Sequence, residues 1–257
     1  LSSGRPINLN SSGFRTGLED WQGNLAGKAM IDHMVSNSDP RLRVMFEPGE
    51  QADGVYMGLD PLLPSTTQQT LADGGTISIY NRSTLSRNQY FPGVLINAAE
   101  VYFLKAEYYL KDGSDAAAET AYNEGIEQSA KQYYLFREVT NDNTTGPVDP
   151  LEDSEITDYL GEPGVAWGNA TTTEEKLELI ATQKWIHYSV VQPLEGWAEL
   201  RRLDALDLQF EVDNTNAQSL PPLRWLYANS ENVYNTANYA AVRAKDNLTT
   251  RIFWDVK

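Results

Sequence analysis

The sequence of 257 residues contains no cysteine and only two histidines, His33 and His187. The absence of cysteine excludes disulfides, thiolate metal sites and a thiol nucleophile, and it excludes lipidation within the chain. No apolar run of about 18 residues is present that would span a bilayer. The opening "LSSGRPINLN" contains neither an initiator methionine nor a charged-then-apolar leader, so we expect a fragment or a processed product.

Basic side chains are outnumbered: 20 lysines and arginines stand against 36 aspartates and glutamates, which gives a formal net charge of −16. This charge repels a phosphate backbone, so nucleic acid is not an expected partner. Hydrophobic residues make up 41% of the chain, enough for a folded globular protein of one large or two modest domains.

The stretch "EVYFLKAEYYL" at 100–110 has apolar residues at the three- and four-residue spacing of a helix that is buried on one face. The turn "KDGSD" predicts the end of this helix and the start of a second, antiparallel one. Large and small residues then alternate as in a tetratricopeptide unit, which buries its face only against neighbouring units. The residues predicted to lock this hairpin are Tyr102, Ala106, Tyr109, Ala118 and Tyr122.

Two regions follow from the composition. Residues 1–94 are rich in turn formers and predict a loop-rich region with a short helix and short strands, and residues 95–257 predict a helical region. Within the second region, 139–171 is acidic and turn-rich and is predicted to be a surface excursion. The expected fold class is all-α, with tetratricopeptide-like helix pairs, long irregular loops and few short strands.

The helix predicted after the excursion has a capping box at its start, from Thr171 or Thr172 with Glu174 or Glu175. Pro193 is expected to end or kink this helix, after which a second helix begins. Four side chains in these two helices are predicted to be structural rather than ligand-binding. They are Trp185, Trp197, Arg201 and Arg202, with the arginines expected to brace carboxylates such as Glu199 or Asp204 instead of gripping an anionic ligand.

Three blocks of the sequence, taken in their order along the chain, resemble the second SusD-like branch of the SusD/RagB family: 99–129, 174–206 and 220–242. The stretch 39–59 resembles the family's segment just upstream of these blocks. The resemblance implies an outer-membrane lipoprotein of Gram-negative bacteria that binds starch or other glycans in polysaccharide utilisation. Such proteins lie as a lid on a TonB-dependent, SusC-like transporter and deliver oligosaccharides, or in some cases peptides, to it.

Members of this family are longer than this chain and begin with a lipidated cysteine, so the resemblance implies the C-terminal half of such a protein. The expected location is the outward-facing side of the outer membrane, with the lipid anchor on an N-terminal region not present here. No enzymatic activity and no cofactor is expected. The alternatives are a tetratricopeptide-like adaptor that binds another protein, or a peptide-binding member of the same family.

A sugar site requires flat aromatic faces and hydrogen-bonding side chains on loops that a rigid frame holds. Three stretches offer this mixture, at 19–24, which includes Trp21, at 80–91 and at 158–169. Each stretch is equally compatible with ordinary loop packing. The candidate ligand-binding residues are Tyr80, Arg82, Tyr90, Phe91, Tyr159, Trp167 and Asn169.

A calcium loop is a further candidate, because Asn141, Asn143, Thr145 and Glu152 occupy the first, third, fifth and twelfth positions of an EF-hand-like spacing. The first ligand lacks the charge of an aspartate, and Pro147 interrupts the loop, so a solvated acidic loop is the default interpretation. For catalysis, His187 is interpreted as structural, and no G-x-S-x-G motif supports a triad.

Overall fold

The computed structural model describes residues 13–20, 23–210 and 222–253, so the candidate Trp21 lies outside the described residues. The chain divides into two compact units, Leu1–Leu208 and Gln209–Lys257. The expected all-α fold is confirmed, since the described residues form mainly helices. None of the described helices combines the length and the apolar character that crossing a membrane requires.

Helices account for nearly all of the regular structure in the described residues. The two strands, β1 (Phe46–Glu47) and β2 (Ile79–Tyr80), form one short antiparallel ribbon in which Phe46 is opposite Tyr80. The helices are α1 (Gly13–Glu19), α2 (Lys28–Ser36), α3 (Leu42–Met45), α4 (Ser65–Asp73), α5 (Ala98–Lys111), α6 (Asp115–Glu138), α7 (Asp153–Leu160), α8 (Thr173–Tyr188), α9 (Pro193–Leu203), α10 (Asn229–Tyr234) and α11 (Thr236–Val242).

The hairpin of α5 and α6 begins at Asn97, whose side chain accepts a hydrogen bond from the Glu100 N–H at 2.8 Å. Gly113, with φ of +79°, forms the turn between the helices, where other residues would be strained. Close approach of the helices depends on Gly125, because a Cβ there would lie 2.6 Å from the Phe103 ring. The hairpin therefore has the large-against-small packing that the sequence predicts.

The residues predicted to lock the hairpin lie in or against one core cluster. Ala106, Ala118 and Tyr122 are fully buried, and Tyr102 and Tyr109 are half-buried against them. The Tyr122 hydroxyl donates to the Val165 carbonyl at 2.9 Å, so the ring also fixes the segment that follows α7. The outer side of α5 is different, because Val101, Leu104 and Tyr108 are exposed.

A second core cluster joins the loop-rich residues before 95 to the long helices. Met34 of α2, Val44 of α3 and Phe46 of β1 pack with Phe136 of α6 and Ile186 of α8. Residues on both sides of 94/95 therefore share this core cluster, and the two compact units of the chain divide after residue 208.

The junctions of α8 follow from local sequence signals. Thr172 and Glu175 form its capping box, with the Thr172 hydroxyl accepting from the Glu175 N–H at 3.1 Å. Pro193 occupies the first turn of α9, where its missing N–H costs nothing. Trp185 is half-buried against the second core cluster, and Trp197 is half-exposed on α9.

The unit Gln209–Lys257 contains α10 and α11 in its described residues. Asp246 organises it, because its carboxylate accepts from the Tyr227 N–H at 2.9 Å and from the Tyr239 hydroxyl at 2.7 Å. Trp225 is exposed in this unit.

Candidate functional site

Among the described residues, the largest fully buried polar side chain is that of Arg41, which is enclosed between α6, α7 and α8. Its guanidinium contacts the Asp39 carboxylate at 2.6 Å and donates to the Ser129 hydroxyl at 2.9 Å, the Tyr159 hydroxyl at 3.0 Å and the Gln183 amide oxygen at 2.8 Å. Burial opposes the charge, but the Asp39 carboxylate raises the pKa of Arg41 above its ordinary value. We call these five residues the Arg41 network. Their polar groups bond to one another and to other protein groups, so the network holds α6, α7 and α8 together.

His187 is buried beside the Arg41 network. Its Nδ1 lies 3.0 Å from the Ser129 hydroxyl and its Nε2 lies 2.9 Å from the Asn97 side-chain oxygen. Burial, together with the nearby charge of Arg41, lowers the pKa of His187 to about 3, so the imidazole is neutral at pH 7. These contacts support the structural interpretation of this histidine.

A second buried network centres on Lys184 of α8, which is fully enclosed. Its ammonium contacts the Glu107 carboxylate of α5 at 2.6 Å and also the carboxylate of Glu199 on α9. Arg202 contacts the same two carboxylates, at 2.7 Å and 2.5 Å. The expected brace between Arg202 and Glu199 is therefore present, while Arg201 is half-buried in the same helix.

Two of the candidate ligand-binding rings, Tyr159 and Trp167, are buried, with 1% and 4% of their surface exposed. The Tyr159 hydroxyl belongs to the Arg41 network. The Trp167 ring packs at a tilt of 44° against Tyr122, with ring centroids 5.2 Å apart. Its Nε1 donates to the Asp115 carboxylate at 3.2 Å, and the Lys176 ammonium lies 5.3 Å from the ring centre. A sugar would stack on neither ring without displacing these neighbours, so the structure gives both rings a packing role.

Tyr80 and Phe91 are half-buried against the second core cluster. The Tyr80 ring stacks on Phe46 at 4.9 Å and its hydroxyl lies 3.2 Å from the Ser189 hydroxyl. Phe91 contacts the Phe136 ring with a centroid distance of 4.7 Å. Both rings fix the irregular region before 95 to the helices.

The other three candidates are spread over the surface. Arg82 contacts both oxygens of the Glu47 carboxylate at 2.9 Å, Tyr90 is half-buried, and Asn169 is exposed and donates to the Pro163 carbonyl at 3.2 Å. The structure therefore does not gather the seven candidates into one site. None of them lines the cavity at the C-terminal end of α6, which is formed by other described residues.

That cavity lies at the C-terminal end of α6 and has a volume of about 610 Å³, within the range of about 300–1,000 Å³ common for ligand pockets. Its wall is formed by Tyr134 and Arg137 of α6 and by Asn141, Asn143 and Pro147 of the following segment. We call it the α6-end cavity. It lies in the predicted surface excursion, but sequence periodicity gives no signal for a cavity there.

The α6-end cavity is fixed to the core at one side. The Tyr134 hydroxyl donates to the Pro40 carbonyl at 2.8 Å, and the Arg43 guanidinium lies 5.3 Å from the centre of its ring. Arg43 in turn contacts the Glu155 carboxylate of α7 at 2.6 Å and 2.8 Å. A smaller cavity of about 240 Å³ shares the residues 147–149 with it and reaches Arg43.

The wall of the cavity is acidic overall, with Glu138, Asp142 and Asp149 against the single cation Arg137 among its described lining residues. Arg137 donates from Nη2 to the Gly146 carbonyl, and its Nη1 is shielded from solvent without an acceptor in the described part of the chain. Burial lowers the pKa of Arg137 from its ordinary value.

Three of the four calcium candidates have other partners, and the fourth, Asn143, is exposed. Asn141 exchanges two hydrogen bonds of 3.1 Å with Gln89, and the Thr145 N–H donates to the Ser83 hydroxyl at 3.1 Å. Glu152 forms the capping box of α7, where its N–H donates to the Glu155 carboxylate at 3.0 Å. Over the described ranges, no group of three or more His, Asp or Glu side chains is placed to hold a metal ion.

The fold and the cavity define a tetratricopeptide-like helical scaffold that holds an irregular, polar segment. The chain belongs to the SusD-like family: the model of a family described as starch-binding and associating with the outer membrane matches residues 5–228. The resemblance seen in the sequence is thereby confirmed. No curated protein sequence matches the chain.

Solved structures of the same type resemble the chain in fold. A SusD homologue from Bacteroides fragilis has a TM-score of 0.73 at 21% identity, covering 91% of this chain and 52% of its own. A chitin-binding SusD homologue from Flavobacterium johnsoniae has a TM-score of 0.66 at 24% identity, with coverages of 100% and 53%. A SusD homologue from Bacteroides uniformis has a TM-score of 0.64 at 24% identity, with coverages of 90% and 49%. The chain spans about half the length of these proteins.

Proposed function

We propose that the chain is part of a nutrient-binding protein on the outward-facing side of the outer membrane that captures an oligosaccharide without cleaving it. The observation that carries this proposal is the match of the starch-binding, outer-membrane-associated family over residues 5–228. A chitin-binding relative in the same fold supports a glycan as the ligand. Anchoring would come from a lipidated N-terminal region of the protein.

The α6-end cavity is the proposed capture site. Tyr134 contributes a ring that Pro40 and Arg43 hold in place, and Asn141, Asn143 and Thr140 contribute polar groups. Sugars are bound by this mixture of an apolar face and hydrogen-bonding groups on a rigid frame. The bound oligosaccharide would then pass to a TonB-dependent, SusC-like transporter.

A matched pair of variants tests the site. Asn143→Trp places a bulky ring in the cavity wall, whereas Asn169→Trp adds the same ring at an exposed position outside the cavity. Calorimetry with a panel of neutral oligosaccharides should show binding by the parent chain and by Asn169→Trp, and at least tenfold weaker binding by Asn143→Trp. Loss of binding in Asn169→Trp alone would move the site to the 158–169 stretch.

Delivery and the absence of cleavage need separate tests. We expect the chain to co-purify in a defined ratio with a TonB-dependent, SusC-like transporter of the same organism, and a failure to form such a complex would contradict delivery. Incubation with the bound oligosaccharide should leave its length unchanged in a chromatogram. Shortened products would instead identify a glycoside-cleaving enzyme.

One observation favours the alternative of a protein-binding adaptor. The outer face of α5 exposes Val101, Leu104 and Tyr108, and beside it a groove of about 390 Å³ is lined by Ile96 and Lys105. Helix pairs of this type bury such faces against neighbouring helices. If Leu104→Glu abolished co-purification with the transporter while oligosaccharide binding persisted, the α5 face would be a protein contact. A peptide-binding member of the family is tested by adding peptides to the calorimetry panel.

A further inference from the structure

A smaller cavity continues the α6-end cavity. It has a volume of about 240 Å³ and shares three lining residues with the larger cavity, Pro147, Val148 and Asp149. We call it the Tyr56 cavity, because the Tyr56 ring forms part of its wall. Its volume is below the range of about 300–1,000 Å³ that is common for ligand pockets, so it would serve as an extension of the larger cavity rather than as a separate site.

The junction between the two cavities is held in place. Proline fixes its own φ angle and restricts the residue before it, so Pro147 and Pro150 leave the segment between them little freedom. Val148 packs against the second core cluster, and Arg43 donates from Nη2 to the Pro150 carbonyl at 3.3 Å. Arg43 also lines the Tyr56 cavity, while its guanidinium lies against the Tyr134 ring of the α6-end cavity. This connection between the two walls lowers the entropic cost of binding one ligand across both.

Tyr56 offers an apolar face and a polar tip to the smaller cavity. Its ring is half-buried against the second core cluster, and its hydroxyl forms no hydrogen bond with another described residue. Burial raises the pKa of Tyr56, so the hydroxyl keeps its proton and remains a donor. A tyrosine of this kind can pack its ring on a sugar and bond to a sugar hydroxyl.

Asp149 offers a carboxylate at the junction. It is exposed, lines both cavities and forms no hydrogen bond or ion pair with another described residue. The cation beside it, Arg43, pairs with Glu155 instead. An ionised carboxylate accepts several hydrogen bonds, and the hydroxyl groups of a neutral sugar are donors that match it.

These free groups lie in consecutive parts of the combined space. Asn143 lines only the larger cavity, Asp149 lines both, and Tyr56 lines only the smaller cavity. A linear chain of sugars carries hydroxyl groups on every ring, so one chain can meet all three groups in turn. A single small sugar would reach only part of them.

The charges favour a neutral chain. In the Tyr56 cavity Arg43 is paired with Glu155 at 2.6 Å, and Glu47 is paired with Arg82 at 2.9 Å. Asp149 is thereby the one unpaired charge among the described lining residues of that cavity. An anionic chain would meet unpaired carboxylates in both cavities.

We propose that the α6-end cavity and the Tyr56 cavity form one two-part site, in which a single neutral oligosaccharide passes over Asp149 and reaches Tyr56. This inference rests on the proposed capture of an oligosaccharide at the α6-end cavity. It adds two ligand contacts, Asp149 and Tyr56, and it makes the length of the sugar chain a determinant of affinity.

The test is calorimetry of the full chain with a series of linear neutral oligosaccharides, from disaccharide to octasaccharide, of the linkage that binds in the wider panel. We expect affinity to rise about tenfold along the series, which corresponds to about 1.4 kcal/mol, and then to reach a plateau. The reason is that only longer chains reach both cavities. Equal affinities along the series would overturn the two-part site.

Variants of Tyr56 locate the gain in affinity. Tyr56→Ala should leave disaccharide binding unchanged and reduce the affinity of long chains to that of the disaccharide. Tyr56→Phe keeps the ring in its packing and removes only the hydroxyl, so the gain should become several-fold smaller without loss of stability. Tyr90→Phe changes a half-buried tyrosine that lines neither cavity and should have no effect.

Thermal melting verifies that each Tyr56 variant is folded. A gain that persists in both variants would contradict the proposal. Equal weakening of short and long chains would also contradict it, because Tyr56 would then act through the structure of the larger cavity and not as a contact for long chains.

Asp149→Ala tests the junction. The residue is exposed and has no described partner to lose, so stability should not change. Affinity should fall several-fold for all lengths, because the carboxylate lines both cavities. Asp158→Ala, at an exposed position that lines neither cavity, is the control and should bind as the parent chain does. Unchanged binding by Asp149→Ala would overturn the passage of the ligand over this residue.

The outcomes separate this inference from the proposed function. Binding that is independent of length and is lost in Asn143→Trp would overturn the two-part site and leave oligosaccharide capture at the α6-end cavity intact. Binding of no neutral oligosaccharide of any length or linkage would overturn both.

Discussion

The interior of the helical frame and the segment after α6 use their polar groups in opposite ways. In the interior, Arg41 and Lys184 are fully enclosed, and each is matched by carboxylates and hydrogen-bond acceptors. In the segment after α6, the Asn143 side chain is exposed at a cavity and forms no hydrogen bond with another described residue. Satisfied groups specify a structure, whereas unused groups beside a cavity are available to a ligand.

The aromatic side chains follow the same division. Tyr122, Tyr159 and Trp167 fill the space between helices and have their polar atoms bonded to protein. Aromatic rings in a chain of this type are therefore a poor guide to its ligand site when they lie at helical spacing or beside helix ends. At the cavity, only Tyr134 contributes a ring among the described lining residues.

The largest effect is expected from the interior. Arg41→Met leaves the buried Asp39 carboxylate without its partner and removes the donor to Tyr159 and Gln183. We expect a loss of about 3–5 kcal/mol in the free energy of unfolding, measured by urea denaturation. Lys131→Met, which breaks an exposed contact with Glu127, is the control and should cost less than about 1 kcal/mol. Equal losses of stability in the two variants would show that the Arg41 network does not hold these helices together.

Trp167→Ala should have the next largest effect. It leaves a void beside Tyr122 and removes one hydrogen-bond donor from Asp115, which keeps its ion pair with Lys176, and we expect a loss of about 3 kcal/mol in the free energy of unfolding. Calorimetry on the folded fraction should show unchanged oligosaccharide affinity, because the ring faces the core. A tenfold weaker affinity without loss of stability would restore Trp167 as a ligand contact.

The pH dependence is expected to be smaller. Folded His187 accepts a proton only near pH 3, whereas in the unfolded chain it does so near pH 6.5. Between these values the unfolded state binds more protons, so stability is full above about pH 6.5 and falls as the pH is lowered towards 3. At pH 5 the loss is about 2 kcal/mol.

Thermal melting between pH 7.5 and 5, above the range in which carboxylates titrate, would measure this loss. His187→Gln should remove most of the slope. His33, whose pKa burial also lowers, provides the comparison in His33→Gln, which should remove a smaller part. A slope that persists in both variants would contradict a buried, neutral His187.

Local signals in the sequence were sufficient to predict the helical scaffold. The spacing of Tyr102 and Ala106, the capping box of Thr172 and Glu175, and Pro193 each act within one or two helical turns. The networks were not predictable, because Arg41 meets Tyr159 and Gln183 across 118 and 142 residues of sequence. Their only signal is a charged residue at an apolar position, as with Lys184 and Glu107.

The proposed capture site was predictable only as a region. The excursion at 139–171 was recognisable from its turn formers, but the cavity depends on how Tyr134 and Arg43 pack beneath it. Seven candidates chosen for their chemistry did not line the cavity, since stacking on a sugar and packing in a core require the same side chains. Partners distant in sequence decide between the two uses.

Hydrogen–deuterium exchange, with and without a saturating concentration of the oligosaccharide that binds tightest in calorimetry, tests the central claim most directly. If the helices only form the scaffold and the ligand binds at the α6-end cavity, the protection of backbone amides from exchange should increase within 134–151. It should stay unchanged at 158–169 and 80–91. Increased protection at 158–169 or 80–91, with none at 134–151, would contradict the account.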